Sequence, residues 1–291
     1  MEPKISVVIA AYYSYNTLEG CLKALSSQTI KPFEIIVVNS SQEDETANVV
    51  KKFPTVTFYQ SSSRLLPQAA FSKGASMAKG SSIAFLAPDC IAKNDWLEKL
   101  FQKQLQGYSV VVGSLGLGSK VWYEQGVHIC KFSSYLSHLP AGQASIAIPS
   151  NSLFSREVWE SYGPFDGDYF SSDTVFSWKL IENGVQPQFE PSAIVEHIYL
   201  CNAKDFWKER LFRAEEFALV RAAYFHWSKK KALAYFFATP LIFAFFLSRS
   251  WSHVRGSVWM WVYFTTLPVH LAGHLSWSIG EAKGYWKYLF R

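Results

Sequence analysis

Residues 82–90 read SIAFLAPDC, an apolar segment that ends at Pro88 and Asp89. Its first part, SIAFL (82–86), does not alternate between polar and apolar residues and predicts a parallel β-strand covered on both faces. Polar residues that follow such a strand lie at the carboxyl edge of the sheet, where α/β folds bind their ligands. The segment therefore predicts an α/β fold with Pro88 and Asp89 beside a binding site.

The same pattern recurs nearer the amino terminus. Further strands are predicted at residues 5–11 (ISVVIAA), 34–39 (EIIVVN) and 56–59 (VTFY). Segments with helical spacing of apolar residues lie between and after them, at 16–25, 43–52, 68–79 and 96–106. This alternation predicts a doubly wound, mostly parallel, Rossmann-like sheet. Ala11, Tyr12 and Asn39 would then lie at the same edge as Asp89.

The region from residue 113 to residue 150 is less regular. Its GSLGLGS segment (113–119) lacks the full spacing of a dinucleotide-binding fingerprint, and we interpret it as a flexible loop. Beyond this region, residues 155–162 and 173–183 predict helices, and residues 193–198 predict a last strand. These elements extend the predicted α/β domain to about residue 200.

Composition narrows the class of protein. Only 18% of the 291 residues are charged, below the usual quarter, and the apolar excess concentrates after about residue 200. The four cysteines form no CxxC pair, so we expect reduced thiols in a chain facing the cytosol, without a secretory signal. The net charge of +5 is modest, and no basic stretch interleaves with aromatic residues, so no nucleic acid is expected as a partner.

The carboxyl-terminal third predicts contact with a membrane. Residues 201–231 read as an amphipathic juxtamembrane helix with eight Lys and Arg residues against four Asp and Glu residues. Within it, Arg210 and Arg213 are candidates either for binding a diphosphate or for surface contact.

Residues 232–291 carry two apolar runs, 232–247 and 258–279, which predict a helical membrane hairpin. The first run would span roughly 24 Å, short of the roughly 30 Å hydrocarbon core, so the hairpin is either spanning or re-entrant. A buried hairpin of a soluble protein is the alternative. Lysines at both ends of the hairpin place its ends in the cytosol by the positive-inside tendency.

Four blocks of the sequence, in this order, resemble family 2 glycosyltransferases, which have the GT-A fold. The blocks are residues 5–41, 66–97, 149–184 and 191–197, so the resemblance covers about residues 4–200. The second block is similar to the one that ends in the family's Asp-x-Asp element, with Asp89 as its second Asp. The third is similar to the block in which an Asp at the start of a helix is the catalytic base, here Asp173.

Several positions depart from the family pattern. Asn39 stands where the second strand usually ends in Asp, and Ala87 replaces the first Asp of Asp-x-Asp. Phe71 and Ser72 replace a common Arg-Asn pair, and Ser172 replaces the Glu before the catalytic Asp. The absence of a carboxylate at position 87 is expected to weaken contacts to the donor sugar or ribose before it abolishes metal binding.

The resemblance implies a set of site residues. Asp89, with His197 as a second ligand, would hold Mg²⁺ or Mn²⁺ against a donor diphosphate. Asp173 would be the catalytic base, and Ala11, Tyr12, Asn39, Pro88 and Asp89 would bind the nucleotide of the donor. Each has a structural alternative: Asp89 and Asn39 as turn residues, Asp173 as a helix N-cap, and His197 as a histidine at a strand end.

The expected activity is therefore inverting transfer of one sugar from a nucleotide-diphosphate sugar, a UDP-sugar by expectation, to a lipid-linked or polysaccharide acceptor. We expect the reaction at the cytosolic face of the cytoplasmic membrane, in building a surface polysaccharide or glycolipid. A Gln-x-x-Arg-Trp element of the polymerising relatives is not found, which favours single transfer. The alternative is a catalytically degenerate GT-A domain that acts as a membrane scaffold for other transferases.

Overall fold

The computed structural model describes residues 3–198 and 203–291, so Cys201 and the start of the predicted juxtamembrane segment lie outside the described residues. The chain forms two compact units. The first consists of Met1–Gly118 and Pro140–Ile198, and the second of Ser119–Leu139 and Tyr199–Arg291.

The regular elements follow one another in a βα pattern and then as helices alone. Up to residue 118 they are β1 (Ile5–Ala11), α1 (Tyr15–Ser26), β2 (Phe33–Asn39), α2 (Glu45–Val50), β3 (Val56–Gln60), α3 (Pro67–Met77), β4 (Ser82–Leu86), β5 (Cys90–Ala92), α4 (Trp96–Leu105) and β6 (Val110–Leu117). Thereafter they are α5 (Trp122–Phe132), β7 (Gly142–Gln143), β8 (Asn151–Ser155), α6 (Arg156–Tyr162), α7 (Ser172–Glu182), β9 (Gln188–His197), α8 (Ala203–Tyr224), α9 (Lys229–Phe237), α10 (Thr239–Val254), α11 (Trp259–Thr265) and α12 (Leu267–Leu289).

The first unit contains one mixed sheet. Its strand order is β3-β2-β1-β4-β8-β6-β9-β5, with β7 paired to β9. Strands β3, β2, β1 and β4 run parallel, β6 is parallel to β9, and β8 is antiparallel to both β4 and β6. Strands β1 and β4 are buried almost throughout, as continuous apolar runs require. The predicted α/β fold with a mostly parallel sheet is confirmed, and its parallel half contains the strands identified in the sequence.

The interpretation of GSLGLGS as a flexible loop is wrong, because residues 113–117 belong to β6. A Cβ atom on Gly113 would lie 2.3 Å from the backbone oxygen of Ala193 and 2.4 Å from the side chain of Asn151. The register between β6 and β9 also shifts between Gly113 and Ser114. Gly113 thus permits close approach of neighbouring strands at a bulge, which is a packing role and not a sign of flexibility.

The second unit is helical, and α8 and α12 pack closely along one another. Small residues make this approach possible, since Ala214 and Ala218 of α8 are fully buried. A Cβ atom on Gly280 or Gly284 of α12 would lie 2.6 Å from the Cβ of Ala214 or Ala218, respectively. Helix α8 is therefore a core helix of this unit, and its large side chains Trp207 and Phe212 are exposed.

The two apolar runs of the sequence do not form two uninterrupted helices. The first run is divided between α9 and α10, and Pro240 lies in the first turn of α10. The second run is divided between α11 and α12, and Pro268 lies in the first turn of α12. Proline suits the first turn of a helix and cannot continue the preceding one. Among the described residues, no single helix has the length and apolar composition to cross a membrane. The pair α9 and α10, bent by 62°, meets both requirements together.

Candidate active site

The carboxyl ends of the parallel strands bring several of the predicted residues to one edge of the sheet. Ala11 is the register partner of Asn39, and Ile9 is the partner of Leu86, which directly precedes Ala87. The backbone N–H of Ser40 donates to the oxygen of Ala11 at 3.0 Å, which ties the two strand ends together. Ala11, Asn39 and the 87–89 turn consequently share the edge at which α/β sheets bind ligands.

Tyr12 and Tyr13 extend this edge beyond β1. Tyr12 is exposed, and its backbone N–H donates to the hydroxyl of Ser14 at 3.0 Å. Tyr13 has a φ of 49°, a left-handed conformation that is uncommon for a residue with a large side chain. The guanidinium of Arg64 lies over the ring of Tyr12, 4.8 Å from its centroid. An aromatic face and a cation thus stand together beside the strand ends.

Asn39 is fully buried, and its amide is engaged within the protein. Its nitrogen donates to the side-chain oxygen of Gln60 at 2.9 Å and to the backbone oxygen of Ser41 at 3.3 Å. Its oxygen accepts from the hydroxyl of Ser41 at 2.7 Å. In this geometry the amide holds the 39–41 turn in place. The nucleobase of a donor could bind the amide only if it replaced some of these hydrogen bonds.

Asp89 and His197 lie next to one another because two short strands pair. Strand β5 runs antiparallel to β9 with Cys90 opposite His197, and the backbone N–H of Ile198 donates to the oxygen of Asp89 at 2.8 Å. The Oδ2 atom of Asp89 is 3.5 Å from the Nε2 atom of His197. Asp89 is partly exposed while His197 is buried.

Cys90 completes a group of three potential metal ligands. One ligand atom from each of Asp89, Cys90 and His197 lies within 4.8 Å of the others. Burial raises the pKa of the Cys90 thiol well above its usual value, and the nearby carboxylate of Asp89 raises it further. A soft sulfur ligand does not suit Mg²⁺ or Mn²⁺, so an oxygen from Asp89 and a nitrogen from His197 are the donors that such an ion would use.

This donor set fits a divalent cation that also binds phosphate oxygens. A hard cation of the Mg²⁺ type needs one or two carboxylates besides phosphates and water, and an imidazole nitrogen suits Mn²⁺ as well. Two ligand atoms that each lie about 2.1 Å from one ion, at a right angle, are about 3 Å from one another. The side chains of Asp89 and His197, 3.5 Å apart, would therefore have to move only slightly closer together. Ala87 adds no side-chain ligand.

Asp173 lies in the first turn of α7, at the second helical position. Its Oδ1 atom accepts from the backbone N–H of Thr174 at 2.8 Å. The hydroxyl of Ser177 donates to the backbone oxygen of Asp173 at 2.8 Å and accepts from the backbone N–H of Ala147 at 2.9 Å. These contacts fix the start of α7, where the helix dipole favours the ionised carboxylate.

Helix α3 holds the loop that leads into α7. The side-chain nitrogen of Gln68 donates to the backbone oxygen of Phe170 at 2.6 Å, and the hydroxyl of Ser72 donates to that of Phe165 at 3.3 Å. Gly167 packs against Ala69, since a Cβ atom there would lie 3.0 Å from the Cβ of Ala69. Ser72, at a position where the family usually has a larger polar residue, therefore helps to position the approach to Asp173.

Two residues of this region were missed by the sequence analysis. Cys90 was interpreted only as a reduced thiol, although its place beside Asp89 in a strand would have indicated proximity to the site. Arg64 stands in the polar segment SSSRLL before α3, and a single basic residue in such a loop carries no signal of its own.

Comparison with known proteins agrees with this geometry. The sequence profile of glycosyl transferase family 2 matches residues 6–163, more than half of the chain. A glycosyltransferase from Haloferax volcanii, AglE, is 25% identical over 189 residues, which are 60% of this chain and 59% of that protein. The GalNAc(5)-diNAcBac-PP-undecaprenol beta-1,3-glucosyltransferase of Campylobacter jejuni is 24% identical over 72% of this chain and 64% of its own length. The chain thus spans about three fifths of the length of these relatives.

A solved structure shares the fold. The mannosyltransferase PcManGT from Pyrobaculum calidifontis, determined in complex with GDP-Man and Mn²⁺, has a TM-score of 0.60 and 17% sequence identity, over 92% of this chain and 74% of that one. The family profile covers strands β1 to β4 and the 87–89 turn, while Asp173 and His197 lie beyond its end at residue 163. The chain belongs to glycosyl transferase family 2.

Proposed function

We propose that this protein is a metal-dependent, inverting glycosyltransferase that moves one sugar from a nucleotide-diphosphate sugar to a lipid-linked or saccharide acceptor. The observation that carries this proposal is the pair formed by Asp89 and His197, 3.5 Å apart at the ligand-binding edge of the sheet. The chain keeps this pair although the carboxylate at position 87 is absent. Membership of family 2 supplies the reaction class.

Asp89 and His197 would hold Mn²⁺ or Mg²⁺ together with the donor diphosphate. The cation would neutralise the negative charge that builds on the diphosphate as the bond to the sugar breaks. Arg64, beside the ring of Tyr12, would add a second positive charge near the nucleotide. Tyr12 would offer its exposed ring to the base, while Ala11 and Pro88 would let the nucleotide approach the backbone.

Asn39 would act in donor binding through the turn that it holds. Its bonds to Ser41 and Gln60 fix the backbone beside Ala11, where the base is expected to lie. A UDP-sugar is our expected donor, although the solved mannosyltransferase carries GDP-Man and shows that this fold accommodates a purine.

Asp173 would take the proton of the acceptor hydroxyl. The hydroxyl oxygen then attacks the anomeric carbon from the side opposite the diphosphate, the carbon–oxygen bond to the diphosphate breaks, and the diphosphate leaves with the bonding electron pair. A single displacement of this kind inverts the configuration at the anomeric carbon. The start of a helix is a suitable place for the base, because the helix dipole keeps the carboxylate ionised before the acceptor binds.

The second unit would hold the protein on the cytosolic face of a membrane, where a lipid-linked acceptor lies. Large apolar side chains of its helices are exposed, among them Leu241 of α10, which is 72% exposed, and Val258, Trp261 and Phe264 around α11. An apolar groove of about 570 Å³ opens between α9, α10 and α12, and Lys283 and Trp286 are among its lining residues. Three consecutive lysines begin α9. Exposed apolar groups beside lysines are typical of surfaces that bind anionic membranes.

Binding of nucleotides in the presence of metal ions tests the donor site. The full-length protein, purified in a neutral detergent, would be heated with UDP, GDP, CDP or dTDP, each with Mn²⁺, with Mg²⁺ or with a chelator. At about 100 times the dissociation constant, binding adds about 2.7 kcal/mol to the free energy of unfolding. We expect one nucleotide to raise the melting temperature only when metal is present.

Asp89→Asn should abolish this shift, because it removes the carboxylate oxygen donor. Asp95→Asn is the matched control, since Asp95 is an exposed residue at the start of α4 that pairs with Lys99. No metal-dependent shift with any of the four nucleotides in the wild-type protein would contradict the proposed activity. That result would favour the degenerate domain that serves as a scaffold for other transferases.

A further inference from the structure

Arg210 and Arg221 of α8 differ in whether they form a salt bridge. Arg221 forms a salt bridge with Glu281 of α12, with 2.8 Å between its Nη2 atom and the carboxylate. The same carboxylate accepts from the hydroxyl of Tyr285 and from the indole nitrogen of Trp277, each at 2.7 Å. Arg210 is only 9% exposed, yet among the described residues it forms no salt bridge, and its Nε atom, like that of Arg221, has no hydrogen-bond partner.

A buried guanidinium without an anionic partner is unfavourable. Burial lowers the pKa of Arg210, but an arginine keeps its proton at any physiological pH, so the charge remains. The ring of Trp277 stacks on the guanidinium with its centroid 4.1 Å away, and the nearby carboxylates of Glu209 and Glu281 also favour the charge. A stacked ring compensates only part of the lost hydration, because it supplies no negative charge. Arg210 therefore keeps a positive charge that no salt bridge among the described residues neutralises.

Cys130 of α5, Arg249 of α10 and His274 of α12 lie close enough to Arg210 to interact with it electrostatically. Cys130 of α5 and His274 of α12 contact one another, with 3.8 Å between Sγ and Nδ1. His274 stacks on Phe246 of α10, with 5.6 Å between the ring centroids. The guanidinium of Arg249 lies 4.9 Å from the centroid of Phe246. Arg249 is exposed, so this second cation marks the solvent edge of the cluster, while Arg210 lies inside it.

The carboxylates near Arg210 are already paired. Glu209 lies 2.8 Å from Arg213 and 3.2 Å from Lys131, and Glu281 is held by Arg221. Burial, together with Arg210, His270 and Arg249, lowers the pKa of His274 to about 2, so this histidine is neutral. Burial also raises the pKa of the Cys130 thiol, which is neutral too. The cluster thus has two carboxylates, Glu209 and Glu281, and more cations than carboxylates, so its net charge is positive. The five cations are Lys131, Arg210, Arg213, Arg221 and Arg249.

We propose that Arg210, with Arg249 at the exposed edge, forms a binding site for a phosphate group inside the helical unit. A guanidinium donates in a fork that matches phosphate oxygens, and two cations favour an anion that carries more than one negative charge. The phosphate could belong to a lipid headgroup or to free phosphate. The exposed ring of Phe245, 5.8 Å from the Arg249 guanidinium, would lie beside a lipid chain. The proposal does not depend on sugar transfer.

Melting of the full-length protein in neutral detergent with a chelator tests this site while the metal-dependent donor site is silent. The probes are inorganic phosphate, dihexanoyl phosphatidic acid and, as a chain without phosphate, dihexanoylglycerol. We expect phosphatidic acid to raise the melting temperature in a saturable way and dihexanoylglycerol to leave it unchanged. An equal response to inorganic phosphate supports a free-phosphate site, and a response to phosphatidic acid alone supports a lipid-headgroup site.

Arg210→Met should weaken the binding of the anion about ten-fold or more, because a hydrogen-bonded charge is lost. Lys204→Met removes one exposed positive charge from the same helix and should change the dissociation constant less than about two-fold. Arg249→Gln is a second variant at an exposed position, where the fold tolerates substitution, and it should also weaken binding.

The melting temperatures without anion separate a binding role from a structural one. Arg221→Met leaves Glu281 without its partner and should lower the melting temperature, whereas Arg210→Met removes an unpaired charge and should leave it equal or raise it. The proposal is overturned if neither phosphate probe shifts the wild-type protein, if Arg210→Met and Arg249→Gln respond as the wild type does, or if Arg210→Met destabilises the protein as much as Arg221→Met.

Discussion

Replacement of Asp173 by asparagine tests the proposed base with little disturbance of the fold. Asparagine has nearly the same shape and keeps a side-chain oxygen for the backbone N–H of Thr174, which lies 2.8 Å from the oxygen of Asp173. What weakens is the attraction between the carboxylate and the start of α7. We therefore expect the free energy of unfolding to fall by only about 0.3–1 kcal/mol.

The effect on the rate should be far larger. An amide cannot take the proton of the acceptor hydroxyl, and a positioned general base contributes about 10²–10⁴-fold to the rate. The barrier should accordingly rise by about 3–5 kcal/mol, at about 1.4 kcal/mol for each factor of ten. Donor binding should stay unchanged, since Asp173 acts on the acceptor. A large loss of kcat with an intact donor dissociation constant is the expected result.

The assay is the initial rate of sugar transfer by the full-length protein at saturating Mn²⁺, with thermal unfolding measured in parallel. Asp168→Asn is the matched control, because Asp168 is an exposed carboxylate in the loop that leads to the same helix. If kcat of Asp173→Asn stays within about three-fold of the wild-type value, Asp173 is not the base, because a general base contributes much more than that. A variant that unfolds would instead point to a structural role for the carboxylate.

Three further predictions concern stability and membrane binding. Burial raises the pKa of Glu209, but the positive charges of Lys131 and Arg213 outweigh burial and lower this pKa to about 2. The ion pairs of Glu209 therefore stabilise the fold above pH 4.5, and this contribution is lost as the pH falls toward 2. Urea unfolding should show Glu209→Gln about 1–2 kcal/mol less stable than wild type at pH 7, with a difference that shrinks steadily below pH 4.5 and is small by about pH 2. A difference that does not shrink would contradict the assignment. A Cβ atom on Gly74 would lie 2.2 Å from the Cγ1 of Val8, so Gly74→Ala should cost about 1–3 kcal/mol of unfolding free energy, whereas Gly142→Ala, which meets nothing within 4 Å, should be neutral. Leu241→Ser should weaken flotation with anionic vesicles about ten-fold, because about 1–2 kcal/mol of apolar burial in the membrane is lost. Leu105→Ser, at a 64% exposed position of the first unit, should leave flotation unchanged. Equal effects of the two substitutions would argue against membrane contact through α10.

The strands of the parallel half could be predicted from the sequence because each carries a local signature. A strand covered on both faces must be apolar along its whole length, and β4 begins and ends at the predicted residues, Ser82 and Leu86. Strand β6 was missed for an equally physical reason. Its glycines suggested flexibility, but Gly113 is required by the backbone oxygen of Ala193, and that neighbour is far away in the sequence.

Helix α5 was missed in a similar way. Its segment, Trp122–Phe132, contains Gly126 and lies in a region without clear periodicity. A Cβ atom on Gly126 would lie 2.7 Å from the Cβ of Val269 in α12, so this glycine marks a close helix crossing. Propensity alone disfavours glycine in a helix, and only the tertiary contact explains its presence.

The candidate site shows the same limit. The sequence indicated Asp89 and His197 separately, through their positions in the family's blocks. Their proximity depends on the pairing of β9 with β5, a strand of three residues that is too short to give a signal of its own. Asn39 was expected to face a base or a turn, and its burial against Gln60 follows from the parallel register of β2 and β3, which the sequence does not specify.

The missing carboxylate at position 87 has an electrostatic consequence for the proposed donor site. With a second carboxylate at that position, two negative side chains would balance the charge of a divalent cation. With Ala87, the carboxylate of Asp89 and the neutral imidazole of His197 would leave one positive charge to face the donor diphosphate. Alanine at position 87 would thus remove a contact to the sugar or ribose and strengthen the attraction for the leaving diphosphate. Arg64 adds further positive charge in the same region. The departure from the family pattern is for this reason compatible with a working transferase, in which more of the donor's binding energy comes from its diphosphate.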